Sequence, residues 1–319
     1  MSMGEFELIR RFFATASCSR ESEGVALGIG DDCALLQLAD GEQLAVSTDT
    51  LVAGVHFPET CDPFLLGQRA LAVAASDLAA MGADPLAFTL ALTLPDADEA
   101  WLAAFARGLE RMARGCRLTL AGGDTTRGPL CLTLTVFGRL PAGQALTRSG
   151  ARPGDLLCVG GSLGDGGGAL ALVLGQRQAP PRVADYLLER YWAPQPQFAL
   201  GRWLRGRATA ALDISDGLLA DVGHLARASG VAVQVERERL PLAPALLELH
   251  GREAAFGHAL SGGDDYRLAF ALPETYRDEL QRLWPEAAVI GRVSAGSGVR
   301  LLDAAGDELP LPATGYQHF

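Results

Sequence analysis

Helix-like and strand-like apolar segments alternate along this chain of 319 residues, and the alternation points to a mixed α and β fold. Residues 5–17 place apolar side chains at helical spacing. Residues 44–48 read as a strand, 63–82 as a helix, 86–94 as a buried strand, 98–114 as a helix, and 117–121 and 130–139 as strands. Pro141, Gly143, Pro153 and Gly154 then mark a boundary, giving an N-terminal domain over 1–140 and a C-terminal domain over 141–319. The second begins with a strand at 155–160, a glycine-rich loop and a helix. Helices near 183–191 and 196–205 follow, then a strand at 208–214 that feeds a helix at 216–229. Further strands are expected at 231–235, 266–271, 288–293 and 298–302. The pattern does not specify sheet order.

Composition narrows the function. The net charge is −11, with no basic stripe, so a nucleic-acid partner is not expected. The six cysteines form no CxxC pair and read as ordinary buried thiols of a reducing compartment. The start, MSMGEFELIRRFFATAS, has no apolar run suited to a signal peptide, and the apolar stretch 85–95 is too short to span a bilayer. A soluble cytoplasmic protein is expected. The chain contains no lysine and no asparagine. A lysine-dependent P-loop, a protein-kinase nucleotide site and Schiff-base chemistry are therefore excluded. Any nucleotide phosphate must be held by metal ions, arginine or backbone N–H groups.

The aspartates address that need, because they recur where apolar segments end. Gly28-Ile29-Gly30-Asp31-Asp32-Cys33 carries two adjacent carboxylates. Leu44-Ala45-Val46 runs into Ser47-Thr48-Asp49-Thr50. Ser76-Asp77 interrupts the apolar run Ala70–Met81. Gly122-Gly123-Asp124-Thr125-Thr126-Arg127, Asp213-Ile214-Ser215-Asp216-Gly217 and Ser261-Gly262-Gly263-Asp264-Asp265-Tyr266 complete the series. Each also fits a turn or helix cap, and Asp216 suits an N-cap. Asp77 resists that explanation, since an unpaired carboxylate on an apolar helix face is costly. Taken together, carboxylates with neighbouring hydroxyls suit Mg²⁺, which prefers oxygen ligands. The loop Gly160–Gly168 fits a phosphate cradle and a close strand–helix turn equally well. Arg148 is either a phosphate clamp or half of a surface salt bridge.

Seven segments in one order, GIGDDCALL, STDTLVAGVHF, SDLAAMGADP, GGDTTRGP, LTRSGARPGD, DISDGL and SGGDDY, resemble the thiamine-monophosphate kinase family over nearly the whole chain. That family shares a superfamily with aminoimidazole ribonucleotide synthetase and selenophosphate synthetase. The resemblance implies a two-domain synthetase-like fold: an N-terminal α/β domain that pairs across a homodimer, and a C-terminal α/β domain. It implies ATP held in a cleft through several Mg²⁺ ions. Carried over by motif, Asp32, Ser47, Thr48, Asp49, Asp77, Asp124, Asp213 and Asp216 are metal-site residues. Gly123, Asp124, Arg148 and Ser215 contact the nucleotide, and His56, Asp264 and Tyr316 face the thiamine phosphate. One position departs from the pattern: Asp264 stands where the family often has Glu, one methylene longer.

The implied reaction passes the γ-phosphoryl group of ATP to thiamine monophosphate, the last step in making the diphosphate. The acceptor is already anionic near neutral pH, with a second pKa of about 6, so no general base is assigned. The alternatives are a related ATP-dependent synthetase, a non-catalytic Mg-nucleotide binding protein and a metal-dependent phosphatase.

Overall fold

The computed structural model describes residues 5–20, 22–30 and 32–312, and its chain divides into two compact units. The first comprises Met1–Leu78 and Ala83–Gly143, the second Ala79–Gly82 and Gln144–Phe319.

The first unit opens with α1 (Glu5–Leu8), continued by a π-helical turn over Ile9–Ala14. The short strands β1 (Val25–Leu27) and β2 (Leu35–Leu36) follow. Then come β3 (Glu42–Val52), α2 (Pro63–Ala80), β4 (Asp84–Leu94), α3 (Glu99–Cys116), β5 (Thr119–Arg127) and β6 (Cys131–Pro141). The four long strands form one sheet in the order β3-β6-β4-β5. β3 and β4 run antiparallel to β6, while β4 and β5 are parallel and joined through α3. In β6 the even positions Leu132, Leu134 and Val136 are fully buried, and the odd ones are half-exposed. That period of two gives the sheet one apolar face. α2 covers it, since a Cβ on Gly138 would touch Leu78. The other face bears exposed Leu44, Val46, Thr48 and Thr50 beside half-exposed Cys131, Thr133 and Thr135. The β1–β2 ribbon packs at one end of the sheet, where Val25 joins Leu86, Ala87 and Ala121.

Asp98 caps α3, accepting from the N–H groups of Ala100 (2.8 Å) and Trp101 (3.2 Å). Leu102, Phe105, Leu109, Met112 and Cys116 form its buried stripe at helical spacing. α2 and α3 cross at glycines. A Cβ on Gly108 would lie 1.9 Å from the carbonyl oxygen of Phe64, and one on Gly67 would lie 2.4 Å from that of Phe105. Backbone cannot yield as a side-chain tip can. Gly108→Ala is therefore expected to cost ~3 kcal/mol or more. Gly115→Ala, in the same helix with nothing within 4 Å of the new methyl, should gain ~0.5–1 kcal/mol. Urea midpoints of the two variants check this, and equal midpoints would refute the close crossing.

The second unit contains β7 (Leu156–Val159), α4 (Asp165–Val173), α5 (Pro181–Trp192), α6 (Phe198–Leu204), β8 (Ala210–Asp213), α7 (Leu218–Ser229) and β9 (Ala232–Glu236). It continues with α8 (Pro244–His250), α9 (Arg252–Ser261), β10 (Leu268–Leu272), α10 (Arg277–Leu283), β11 (Ala288–Ser294), β12 (Gly298–Leu302) and β13 (Glu308–Leu309). Its sheet order is β13-β12-β9-β11-β7-β10-β8. Every residue of β7, β8 and β10 is buried. Leu157, Val159 and Leu212 face a core that also holds Val222 and Phe256, while Leu156, Cys158 and Phe270 face another with Leu200 and Leu280. Strands covered on both faces read as continuous apolar runs. β10 lies antiparallel between β7 and β8, pairing Ala269 with Val159 and Leu268 with Asp213. The ends of β7 and β8 and the start of β10 therefore share one sheet edge. Among the described residues, no helix is long and apolar enough to cross a membrane.

Candidate active site

Three loops leave that shared edge, and backbone hydrogen bonds stitch two of them together. Ile214 N donates to Arg267 O (2.8 Å), Asp264 N to Ser215 O (2.9 Å) and Tyr266 N to Ile214 O (2.8 Å). Beneath them lies Asp221, which sequence reasoning overlooked. Its Oδ2 accepts from the N–H groups of Ser215 and Asp216, each at 3.1 Å. Burial pushes its carboxyl up to about 7, although those N–H groups pull it down. The expected N-cap role of Asp216 is not seen: α7 follows Gly217 without a side-chain cap. Asp221, inside the helix, takes up the loop's donors instead. Its only signal in the sequence is a carboxylate within the apolar run 218–222.

The glycine-rich loop is a packed turn, not an open cradle. Asp265 accepts from Gly164 N (2.7 Å) and Gly166 N (3.1 Å), so the donors a phosphate would use are occupied. Burial pushes Asp265 up to about 8. A Cβ on Gly166 would sit 2.2 Å from the carbonyl oxygen of Asp264. These glycines serve close backbone approach. Asp213, the buried last residue of β8, and half-buried Ser215, Asp216 and Asp264 lie on the stitched loops. Arg148 is exposed, and its carbonyl accepts from Ser229 Oγ at 3.1 Å. Burial, then the charges of Arg227 and Arg148, hold His224 below its usual range.

In the first unit, Ser47 Oγ donates to Asp77 Oδ2, joining β3 to α2. Asp49 lies two residues further along β3, on the same face. Burial, and then the Asp77 charge, push its carboxyl up to about 6. Sheet register sets Asp49 in a row with Leu134, Leu90 and Gly123, and Thr50 in the next row with Thr133, Ala91 and Asp124. β3 and β5 are opposite edges of the sheet, so Asp49 and Asp124 stand three strand spacings apart, about 14 Å. Thr48 turns away from Asp49, with Oγ1 2.9 Å from Thr135 Oγ1. Asp32, Gly123 and Asp124 line a cavity of about 620 Å³ together with Gly28, Gly30 and Thr125. Gly123 is required there, as its φ is 156° and a Cβ would sit 2.0 Å from the carbonyl oxygen of Leu90. His56 Nδ1 accepts from Val52 N at 3.0 Å, which leaves the ring proton on Nε2. Tyr316 lies outside the described residues.

Among the described residues, no three His, Cys, Asp or Glu side chains gather as a metal cage. Mg²⁺ seldom needs one, taking one or two carboxylates with water and substrate phosphates. Asp49 and Asp77 fit that pattern: two half-buried carboxylates close enough for the charge of one to raise the other. The cysteines depart from expectation. Cys18, Cys116 and Cys158 are buried, Cys61 and Cys131 half-buried, and Cys33 is exposed. Cys33 lines the cavity beside Gly28, Ile29, Gly30, Asp32 and Ala34 and is not part of a core strand.

The AIR synthase related protein family matches this chain, its N-terminal domain over residues 30–140 and its C-terminal domain over 152–303. The thiamine-monophosphate kinase of Escherichia coli (strain K12) is 46% identical over 324 residues, covering 100% of this chain and 99% of that protein. The crystal structure of thiamine-monophosphate kinase from Stenotrophomonas maltophilia K279a superposes with a TM-score of 0.86 at 46% identity, covering 94% of this chain and 97% of that one. AaThiL complexed with AMPPCP and TMP superposes with a TM-score of 0.79 at 31% identity, covering 99% and 97% of the two chains. With both family domains matched and identity sustained end to end, the chain belongs to the thiamine-monophosphate kinase family of AIR synthase related proteins.

Proposed function

We propose that the protein transfers the γ-phosphoryl group of ATP directly to the phosphate of thiamine monophosphate, completing thiamine diphosphate. The observation that carries this reading is the Asp49–Asp77 pair. Two carboxylates crowded against burial, in a full-length relative of thiamine-monophosphate kinases, call for a cation. The acceptor phosphate is already an anion, so no side chain has to remove a proton. The obstacle is the repulsion between two polyanions, and bound Mg²⁺ ions would neutralise it and align donor with acceptor. Asp32, Ser47, Thr48, Asp49, Asp77 and Asp124 of the first unit, and Asp213 and Asp216 of the second, would hold these ions. Gly123 offers backbone without a side chain in the way, and Ser215 a hydroxyl on a loop that Asp221 anchors. Arg148 supplies a guanidinium able to grip two phosphate oxygens. His56, Asp264 and Tyr316 would receive the thiamine end.

A homodimer follows from the same reading. The first unit's sheet leaves Leu44 and Val46 exposed at 42% and 55% on a face that a second copy could cover. Asp49 and Asp124 are too far apart in one chain to share an ion. A second copy whose β5 edge meets β3 would place Asp124 of the partner subunit beside the sheet edge that carries Asp49. A cytoplasmic setting suits the unpaired cysteines and nucleotide substrate. In a coupled assay, purified protein with Mg-ATP should yield thiamine diphosphate and ADP in equal amounts, and free thiamine should be a poor acceptor. Robust phosphorylation of thiamine, or no turnover of the monophosphate, would overturn the reading.

A further inference from the structure

Among the described residues, three other than glycine have left-handed backbone: Arg117, Asp264 and Tyr266. Arg117 ends α3, where that conformation is ordinary. Asp264 (φ 69°) and Tyr266 (φ 47°) flank Asp265 in one loop, where no helix end accounts for them. Left-handed backbone costs a residue with a Cβ ~1–2 kcal/mol, and for a bulky tyrosine it is an outlier. The neighbours enforce it. Asp264 N and Tyr266 N are tied to Ser215 and Ile214, and Asp265 is locked onto the start of α4. The result is that alternate side chains of the loop meet. The phenol of Tyr266, on a residue only 8% exposed, donates to Oδ1 of Asp264 at 3.1 Å. A buried phenol needs an acceptor, and here it has taken a carboxylate on the loop rim.

We propose that Tyr266 is a positioning residue whose phenol orients the Asp264 carboxylate toward the organic half of the acceptor, which carries a thiazolium charge and an aminopyrimidine donor. The inference rests on reading Asp264 as a substrate-side residue. It also accounts for an aspartate at this position. A side chain one methylene short of glutamate cannot swing to its ligand, so its direction has to be set by a neighbour.

Steady-state kinetics on the full chain test the proposal. Tyr266→Phe keeps the ring and removes only the hydroxyl. It should raise the KM for thiamine monophosphate about tenfold, equivalent to ~1.4 kcal/mol. The ATP KM, kcat and melting temperature should stay near parental. A merely structural tyrosine would lower the melting temperature and move both KM values together, which would refute the proposal. Asp264→Ala should raise the acceptor KM at least as far. The double variant should match Asp264→Ala alone, because the phenol acts only through the carboxylate. Losses that multiply in the double variant would refute it. So would an unchanged acceptor KM in Tyr266→Phe beside an impaired Asp264→Ala. If Asp264→Ala turns over with a parental acceptor KM, the substrate-side reading of Asp264 itself fails.

Discussion

Two inactive variants, Asp49→Asn and Asp124→Asn, are expected to regain activity when co-expressed and purified as a mixture. The reason lies in strand order. β3 and β5 are the two edges of the first unit's sheet, with β6 and β4 between them. Strand spacing is about 4.8 Å, so the two aspartates lie about 14 Å apart, several times the span between oxygens on one Mg²⁺ ion. If both are needed for one phosphoryl transfer, one of them comes from the second copy. A heterodimer of the variants then has one site with both lesions and one with neither. Random pairing makes half the dimers mixed, so the mixture should recover about a quarter of parental specific activity. Each variant alone should stay below about a hundredth of it. Sites built within one chain would each carry a lesion, and the mixture would remain as inactive as its parts. That outcome would remove the shared-site reading while leaving the kinase assignment intact.

The long elements were legible because most have one dominant period. β3, β4 and β6 alternate and α3 buries a regular stripe, while α2, buried nearly all round, was legible from its length and apolar content. The elements missed are short: the strands β1, β2 and β13 and the helices α8, α9 and α10. Tertiary packing decides such helices more than sequence period does. The candidate site divides along a similar line. Asp49, Asp77, Asp124 and Asp216, the proposed ion ligands, stand in recognisable motifs at the ends of apolar segments or interrupting them. Asp221 and Asp265 do not face outward. They bind backbone N–H groups of loops distant in sequence or one turn away, and that role appears only when the chain has folded. The glycine-rich loop misled in the same way. Gly164, Gly166 and Gly167 answer to the 258–264 segment packed on them, and Gly160 to Gln197, not to a phosphate.

Replacing Asp49 with asparagine is expected to abolish most activity while making the metal-free protein more stable at alkaline pH. In the folded chain its carboxyl is raised to about 6 from an ordinary value near 3.8, by burial first and by Asp77 second. The folded state therefore holds that proton more tightly than the unfolded state. Below about pH 3, a unit under the unfolded value, both states are protonated and the residue favours neither. As pH rises from about 3 through 6 the unfolded chain releases its proton first, and stability is lost over that window. Above pH 6 the loss is complete, on the order of 2–3 kcal/mol before screening by solvent reduces it. Asp49→Asn removes the titration and nearly keeps the shape. In chelator the variant should match the parent near pH 3 and melt above it at pH 8. Asp77→Asn should stabilise the metal-free protein less, since it removes the Asp77 charge but leaves Asp49 buried, and its amide oxygen still accepts from Ser47. Mg-ATP should reverse the order: it binds the folded parent and raises its melting temperature by mass action, and raises the variants' much less. A scaffolding aspartate would act oppositely, because losing a buried partner costs ~1 kcal/mol or more. If both variants melt well below the parent in chelator at pH 8, and Mg-ATP shifts them as far as it shifts the parent, Asp49 and Asp77 hold the fold together and not an ion.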